Sequence, residues 1–212
     1  MSSHATHTTR RRLPLVRAAA LGLAIILAPS LAHADRIKPP SVPANLQVPA
    51  GNKPFFQGHG VGTQNYVCLP STAAASGFAF VLFTPQATLF DDDDRQLTTH
   101  YFSPNPFEDG TIRATWQHAR DGSTVWAKVA PGDASTDAAF VAPGAVAWLK
   151  LTVVGAQDGA TGGDKLTGTT FLQRVRTAGG LAPSTGCASL ADVGHTAFVP
   201  YTADYIFYTD RY

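Results

Sequence analysis

Four histidines lie beyond the N-terminal region: His59, His100, His118 and His195. An imidazole can ligate a metal or move a proton near neutral pH, so their spacing is the first test of chemistry. None belongs to an HxH, HExxH or CxxC-to-His pattern. A metal site would have to be assembled by folding, and no resident metal or cofactor is expected. His118 shares strand parity with Ile112 and Trp116, and His100 shares it with Phe102, so both rings are assigned to an inner face. A neutral buried histidine held by one hydrogen bond is the simpler expectation for each. The sharper one is a concave pocket in which His100, Trp116 and His118 converge, which would suit a hydrolytic or metal-dependent enzyme.

Two other constellations could bind. Trp126-x-Lys128 and Trp148-x-Lys150 repeat one arrangement. Val125, Ala127 and Val129, like Ala147, Leu149 and Leu151, take one strand face, so each tryptophan shares the other face with its lysine. Outward indoles on a sheet can stack on sugar rings; the alternative is that a loop or second layer covers them. Arg174 and Arg176 also share parity. They can meet an anionic ligand or pair with Asp204 on a neighbouring strand, and the pairing is favoured. No GxSxG elbow is present. The run Asp91–Asp94 lacks the alternating ligands of a calcium loop and reads as a solvated turn.

The stretch FFQGHGVGTQNYVC (55–68) places glycines at 58, 60 and 62. A dinucleotide fingerprint needs a third glycine at position 63, which is Thr63, and a helix to follow. No Gly-Lys-Ser/Thr follows either. Glycines at alternate positions instead give one bald strand face, against which a neighbour can pack closely.

Residues 1–34 read as an export signal. Arg10, Arg11, Arg12 and Arg17 supply a basic start, LGLAIILAPSLA a short apolar stretch, and Ala32-His33-Ala34 a cleavage pattern. The arginine run also fits a twin-arginine signal as the alternative to the general export route. Cleavage after Ala32 would expose His33 as a copper-binding N-terminus; an Asp35 start, found by N-terminal sequencing, would exclude that. Without residues 1–34 the chain carries 12 basic and 15 acidic residues, a net charge of −3. No basic cluster remains, which excludes a nucleic-acid partner, and no further apolar run reaches membrane length. The two cysteines, Cys68 and Cys187, are expected to form a disulfide in an oxidising compartment.

These candidates need elements to position them. Residues 35–54 contain five prolines and read as an extended segment leading into the domain. From residue 55 to 212 the apolar period is two, with turns rich in Gly, Pro and Asp. FAFVLF (78–83) is apolar on both faces, as in a central strand. ATLF and RQLTTHYF flank the acidic turn, and TIRATWQHA and STVWAKV flank Asp121-Gly122. AVAWLKLTVV, KLTGTTFLQRVRT and FVPYTADYIFY complete eight or nine strands, with one helical turn near Ala188–Val193. The fold class is all-β: one antiparallel sandwich or barrel-like domain.

FLQRVRTAGGLAPSTGC (171–187) and VPYTADYIFY (199–208), with PPSVPANLQVPAGNKPFFQGHGVGTQNYVC, PQATLFDD and Trp116…DGSTVWAKV before them, resemble a secreted family catalogued as domain of unknown function 3455. The likeness covers nearly all of residues 39–208. The family has no established activity. Its fungal members often carry the label malate dehydrogenase, for which this chain has no dinucleotide fingerprint. The reading is an exported, non-catalytic binding module for an extracellular or envelope component, a polysaccharide first. The alternatives are an enzyme with a His/Trp pocket and a structural envelope protein.

Overall fold

Side chains that alternate in and out along extended segments can bury one face only if the sheet curls onto itself or meets a second layer. This chain does both. The computed structural model describes residues 37–211; residues 1–34, read above as an export signal, and His33 with them, lie outside the described residues. Among the described residues there are nine strands: β1 (Lys53–Pro70), β2 (Phe78–Phe90), β3 (Gln96–Asn105), β4 (Thr111–His118), β5 (Thr124–Lys128), β6 (Ala134–Ser135), β7 (Trp148–Gln157), β8 (Phe171–Gly179) and β9 (Thr196–Thr209). They run antiparallel in the order β5-β4-β3-β2-β1-β9-β8-β7-β6. Pairing of β5 with β7, from Thr124↔Gln157 to Lys128↔Thr152, closes the sheet. The result is an eight-stranded antiparallel barrel, with β6 as an extra strand beside the start of β7.

The barrel interior holds Phe56, Leu89, Trp116, Leu172, Tyr205 and Phe207. The three alternate glycines of β1 face this interior and make room for the large rings. A Cβ on Gly60 would lie 2.9 Å from the Tyr205 ring, and one on Gly62 would lie 2.6 Å from the Ala87 backbone. The FFQGHGVG stretch is therefore a bald inner strand face rather than a phosphate loop. Such pairing of small with large residues is how narrow barrels fill their bore.

One end of the bore is plugged. Residues 158–170 fold beneath it and insert Leu166, which is fully buried. The Asp121 carboxylate pins this plug: it accepts from the Lys165 N–H at 2.8 Å and from the Ser123 hydroxyl at 2.7 Å. Burial alone would raise the Asp121 pKa, but these hydrogen bonds outweigh it and hold the acid down to about 2. The alternation of KLTGTTFLQRVRT predicts a strand from Lys165. The strand starts only at Phe171, because residues 165–170 serve as the plug.

A second cluster covers the outside of β7, β8 and β9. Leu46, Val141, Trp148, Val175, Ile206 and Tyr208 pack there, with Val42 and Phe140 against them. The proline-rich segment supplies Leu46, whose carbonyl accepts from the Gln173 amide at 2.7 Å. Two-sided burial explains why Tyr205–Tyr208 is apolar without a break.

FAFVLF departs from the expectation of a central buried strand. Val81 and Phe83 are each 43% exposed. β2 pairs with β3 only from Ala87↔His100 to Phe90↔Gln96, so residues 78–83 extend with β1 past the barrel wall. Cys68 and Cys187 form the expected disulfide, with Cα atoms 5.4 Å apart. It ties the loop before β9 to the far end of β1. No helix among the described residues is long and apolar enough to cross a membrane.

Candidate ligand-binding site

At the end opposite the plug the bore opens into a cavity of about 430 Å³. β4 and β7 line it with Ala114, Trp116, Leu149 and Leu151, the inner-face residues that strand parity selects. β3 adds His100 and Phe102, β8 adds Arg174, and Gln64 and Tyr205 come from β1 and β9. Leu181, in the loop held by the disulfide, leans over the rim.

His100 is the best-defined polar group of the cavity. Its ring stacks on Trp116 with centroids 4.1 Å apart and 7° between planes. Its Nδ1–H donates to the Thr115 carbonyl at 2.9 Å, which fixes the tautomer and leaves Nε2 as an acceptor. Complete burial drives its pKa down to about 3; the Thr115 bond opposes this and the nearby Arg174 charge adds to it. The ring is therefore neutral at physiological pH. Its NMR shifts are expected to stay flat from pH 8 to below pH 5. A group that loses basicity on folding stabilises the fold above its unfolded value near 6.5 and withdraws that support as pH falls toward 3. An inflection near pH 6.5 for His100 would contradict the buried geometry.

Of the other residues singled out from sequence, Trp116 joins His100 in the cavity and His118 does not. His118 has the inner parity but sits two residues closer to the plug, opposite Thr98. Its ring is 5.9 Å from Phe56, and its Nδ1 is 3.0 Å from the Asp121 carboxylate. Parity assigns a face; it does not assign a depth along the barrel.

Trp126 and Trp148 point outward as expected, but neither is a platform. They are 6% and 5% exposed. Trp126 donates to the Ser103 hydroxyl at 2.9 Å and lies against Phe107. Trp148 lies beneath Phe140 in the outer cluster. Sugar stacking needs an open ring face, and here other parts of the chain cover both indoles.

The two arginines divide. Arg176 has φ of +50°, in a register shift between Val175 and Ala178, and this breaks the alternation. Its guanidinium turns outward and pairs with Asp204 at 2.8 Å, as the sequence reading favoured. Asp204 also meets His59 at 2.6 Å, and the other ring nitrogen of His59 meets Asp92 at 2.9 Å. Those bonds, to Asp204 first, raise the His59 pKa despite its partial burial. Arg174 keeps the inner parity. Its Nε and Nη2 groups donate to the Ala147 carbonyl at 3.2 and 2.9 Å. Among the described residues it forms no ion pair.

Sequence reasoning missed Gln64 and Tyr205 as cavity residues. Gln64 is 1% exposed on the inner face of β1, and its amide nitrogen reaches toward the Tyr201 hydroxyl without a well-aligned hydrogen bond; the indole N–H of Trp116 makes none. A polar amide at inner parity after three inner glycines was the available signal. The strands β2 and β3 also part beyond Ala87 and His100, where Pro85 has no N–H to donate. A shallower cavity of about 890 Å³ opens there and shares Pro85, His100 and Phe102 with the mouth.

No curated protein sequence and no solved structure matches this chain. The family model described as "Protein of unknown function (DUF3455)" matches residues 49–209, which takes in every strand of the barrel, and the chain belongs to that family.

Proposed function

We propose that the protein is an exported, non-catalytic binding barrel that holds a small, largely apolar molecule in its open end. The observation that carries this is the cavity of about 430 Å³, closed below by Trp116, His100 and Tyr205 and walled by aliphatic side chains. Its size and apolar wall with few polar groups match small-molecule sites, and barrel mouths are a recurrent place for them. Catalysis is the weaker reading. Among the described residues no serine, cysteine or carboxylate lines the cavity, and no hydrogen bond joins its histidine to the Thr136 or Tyr205 hydroxyl. A polysaccharide ligand is also weaker, because the two outward tryptophans are covered. The disulfide fits an oxidising compartment, in keeping with export.

The test is a titration with N-phenyl-1-naphthylamine, a neutral apolar fluorophore, read by energy transfer from tryptophan. Saturable binding of one probe per chain is expected, and Ala114→Phe, which fills the cavity, should weaken it at least tenfold. NMR shift changes should centre on Ala114, Leu149 and Leu151. No saturable binding, or shift changes confined to the outside of the barrel, would overturn the reading.

A further inference from the structure

We propose that the molecule held in the barrel mouth is an organic acid, with its carboxylate seated at Arg174 and its apolar body in the bore. This inference rests on the binding reading above and adds the charge of the ligand to it. Among the described residues Arg174 is the sole charged side chain of the cavity, whose wall is mostly aliphatic and aromatic, with Gln64 and Thr136 as further polar groups. A guanidinium beside such a wall normally has a carboxylate partner, since an uncompensated charge near low-dielectric surroundings is costly. Arg176, two residues away, has that partner in Asp204. Arg174 has no carboxylate among the described residues: it bonds the Ala147 carbonyl with two of its five N–H donors and also meets the Tyr205 hydroxyl, both neutral partners.

The geometry left over is suited to an acid. The Ala147 bonds use Nε and Nη2 and so fix the plane of the guanidinium, and its other contact is with the neutral Tyr205 hydroxyl, so its charge is left without a counter-ion among the described residues. A planar, pre-oriented fork matches a carboxylate, and charge-assisted bonds of this kind are the strong ones. One guanidinium balances one negative charge, which favours a monoanionic carboxylate over a phosphate dianion. Gln64 supplies a second donor: its side chain lines the same cavity, is 1% exposed, and has an amide nitrogen that reaches toward the Tyr201 hydroxyl without a well-aligned hydrogen bond. His100, neutral and accepting at Nε2, adds no second cation beside Arg174.

The experiment displaces N-phenyl-1-naphthylamine with matched pairs: decanoate against 1-decanol, and 2-naphthoate against 2-naphthalenemethanol. Each is run at pH 7.5 on the wild-type chain and on Arg174→Gln. At least one acid is expected to bind the wild type about tenfold or more tightly than its alcohol, as charged hydrogen bonds imply. That preference, read as the ratio of acid to alcohol affinity within each protein, should vanish in Arg174→Gln. Equal binding of acid and alcohol to the wild type overturns the acid assignment and leaves the cavity reading intact. A preference that survives in Arg174→Gln overturns the role of Arg174. Failure of every compound to displace a bound probe overturns the acid proposal, and failure of the probe itself to bind overturns the cavity reading beneath it. The wild-type comparison decides the charge question even if the variant does not fold.

Discussion

Gly62→Ala is expected to destabilise the protein by about 3 kcal/mol or more, beyond the usual range for overpacking, or to prevent folding. Residues directly opposite on adjacent antiparallel strands normally keep their Cβ atoms about 4.5–5.5 Å apart. A Cβ on Gly62 would instead lie 2.8 Å from the Ala87 Cβ and 2.6 Å from the Ala87 Cα, and it would also strike the Gln86 carbonyl oxygen. Those atoms belong to the backbone or its first carbon, so no rotamer change relieves the clash; β1 and β2 must separate. Gly60→Ala meets the Tyr205 ring at 2.9 Å and the Ala203 carbonyl at 3.2 Å, and Gly58→Ala meets the Leu89 Cβ at 2.9 Å and its branch from 3.3 Å. Gly62 is therefore expected to cost the most, with Gly60 and Gly58 each roughly 1–3 kcal/mol. Urea unfolding of the three variants gives the order. A Gly62→Ala protein that melts within a degree or two of wild type would mean that β1 and β2 are not packed this closely.

Loss of the disulfide is the second large effect. Cys68 and Cys187 are 119 residues apart, and chain entropy assigns a loop of that length about 4–5 kcal/mol of stabilisation. For a domain of this size the corresponding fall in Tm is roughly 10 °C. Reduction and the Cys68→Ser/Cys187→Ser double variant should agree. The backbone adds a local clamp, since the Cys68 N–H donates to the His195 carbonyl at 2.8 Å and its carbonyl accepts from Gly194 at 3.0 Å. That clamp holds the end of the loop but not Cys187 itself. Reduction should therefore loosen Leu181 at the rim, and weaken probe binding at temperatures where the barrel is still folded. Equal melting with and without reductant would show that the bond does not constrain the unfolded chain.

Much of the barrel is legible in the chain. Period-two alternation separates Val125, Ala127, Leu149 and Leu151, which line the interior or its cavity, from Trp126 and Trp148, which do not. The same parity puts His100, Phe102 and Trp116 on one inner face, and the cysteine count gives the disulfide. Three things are not local. Height along the bore depends on how each strand is staggered against its neighbours, so parity grouped His118 with Trp116 although it belongs to the plugged end. Coverage depends on distant chain, so the outward tryptophans could not be told from open platforms until Phe140 and Phe107 were placed over them. A single positive φ at Arg176 turned one arginine outward and left its neighbour of equal parity inside.

The amino-acid order by itself determined which side of each strand is apolar, where the chain turns, and that two sulfurs can join, because these follow from the alternation of side chains and the chemistry of a few residues. Only the tertiary structure decided that β5 meets β7. That contact converts a curled sheet into a vessel with a plugged end and an open one. It also decided that Arg174 faces the opening without a carboxylate, since the surroundings of a charge are set by strands brought together from every part of the chain.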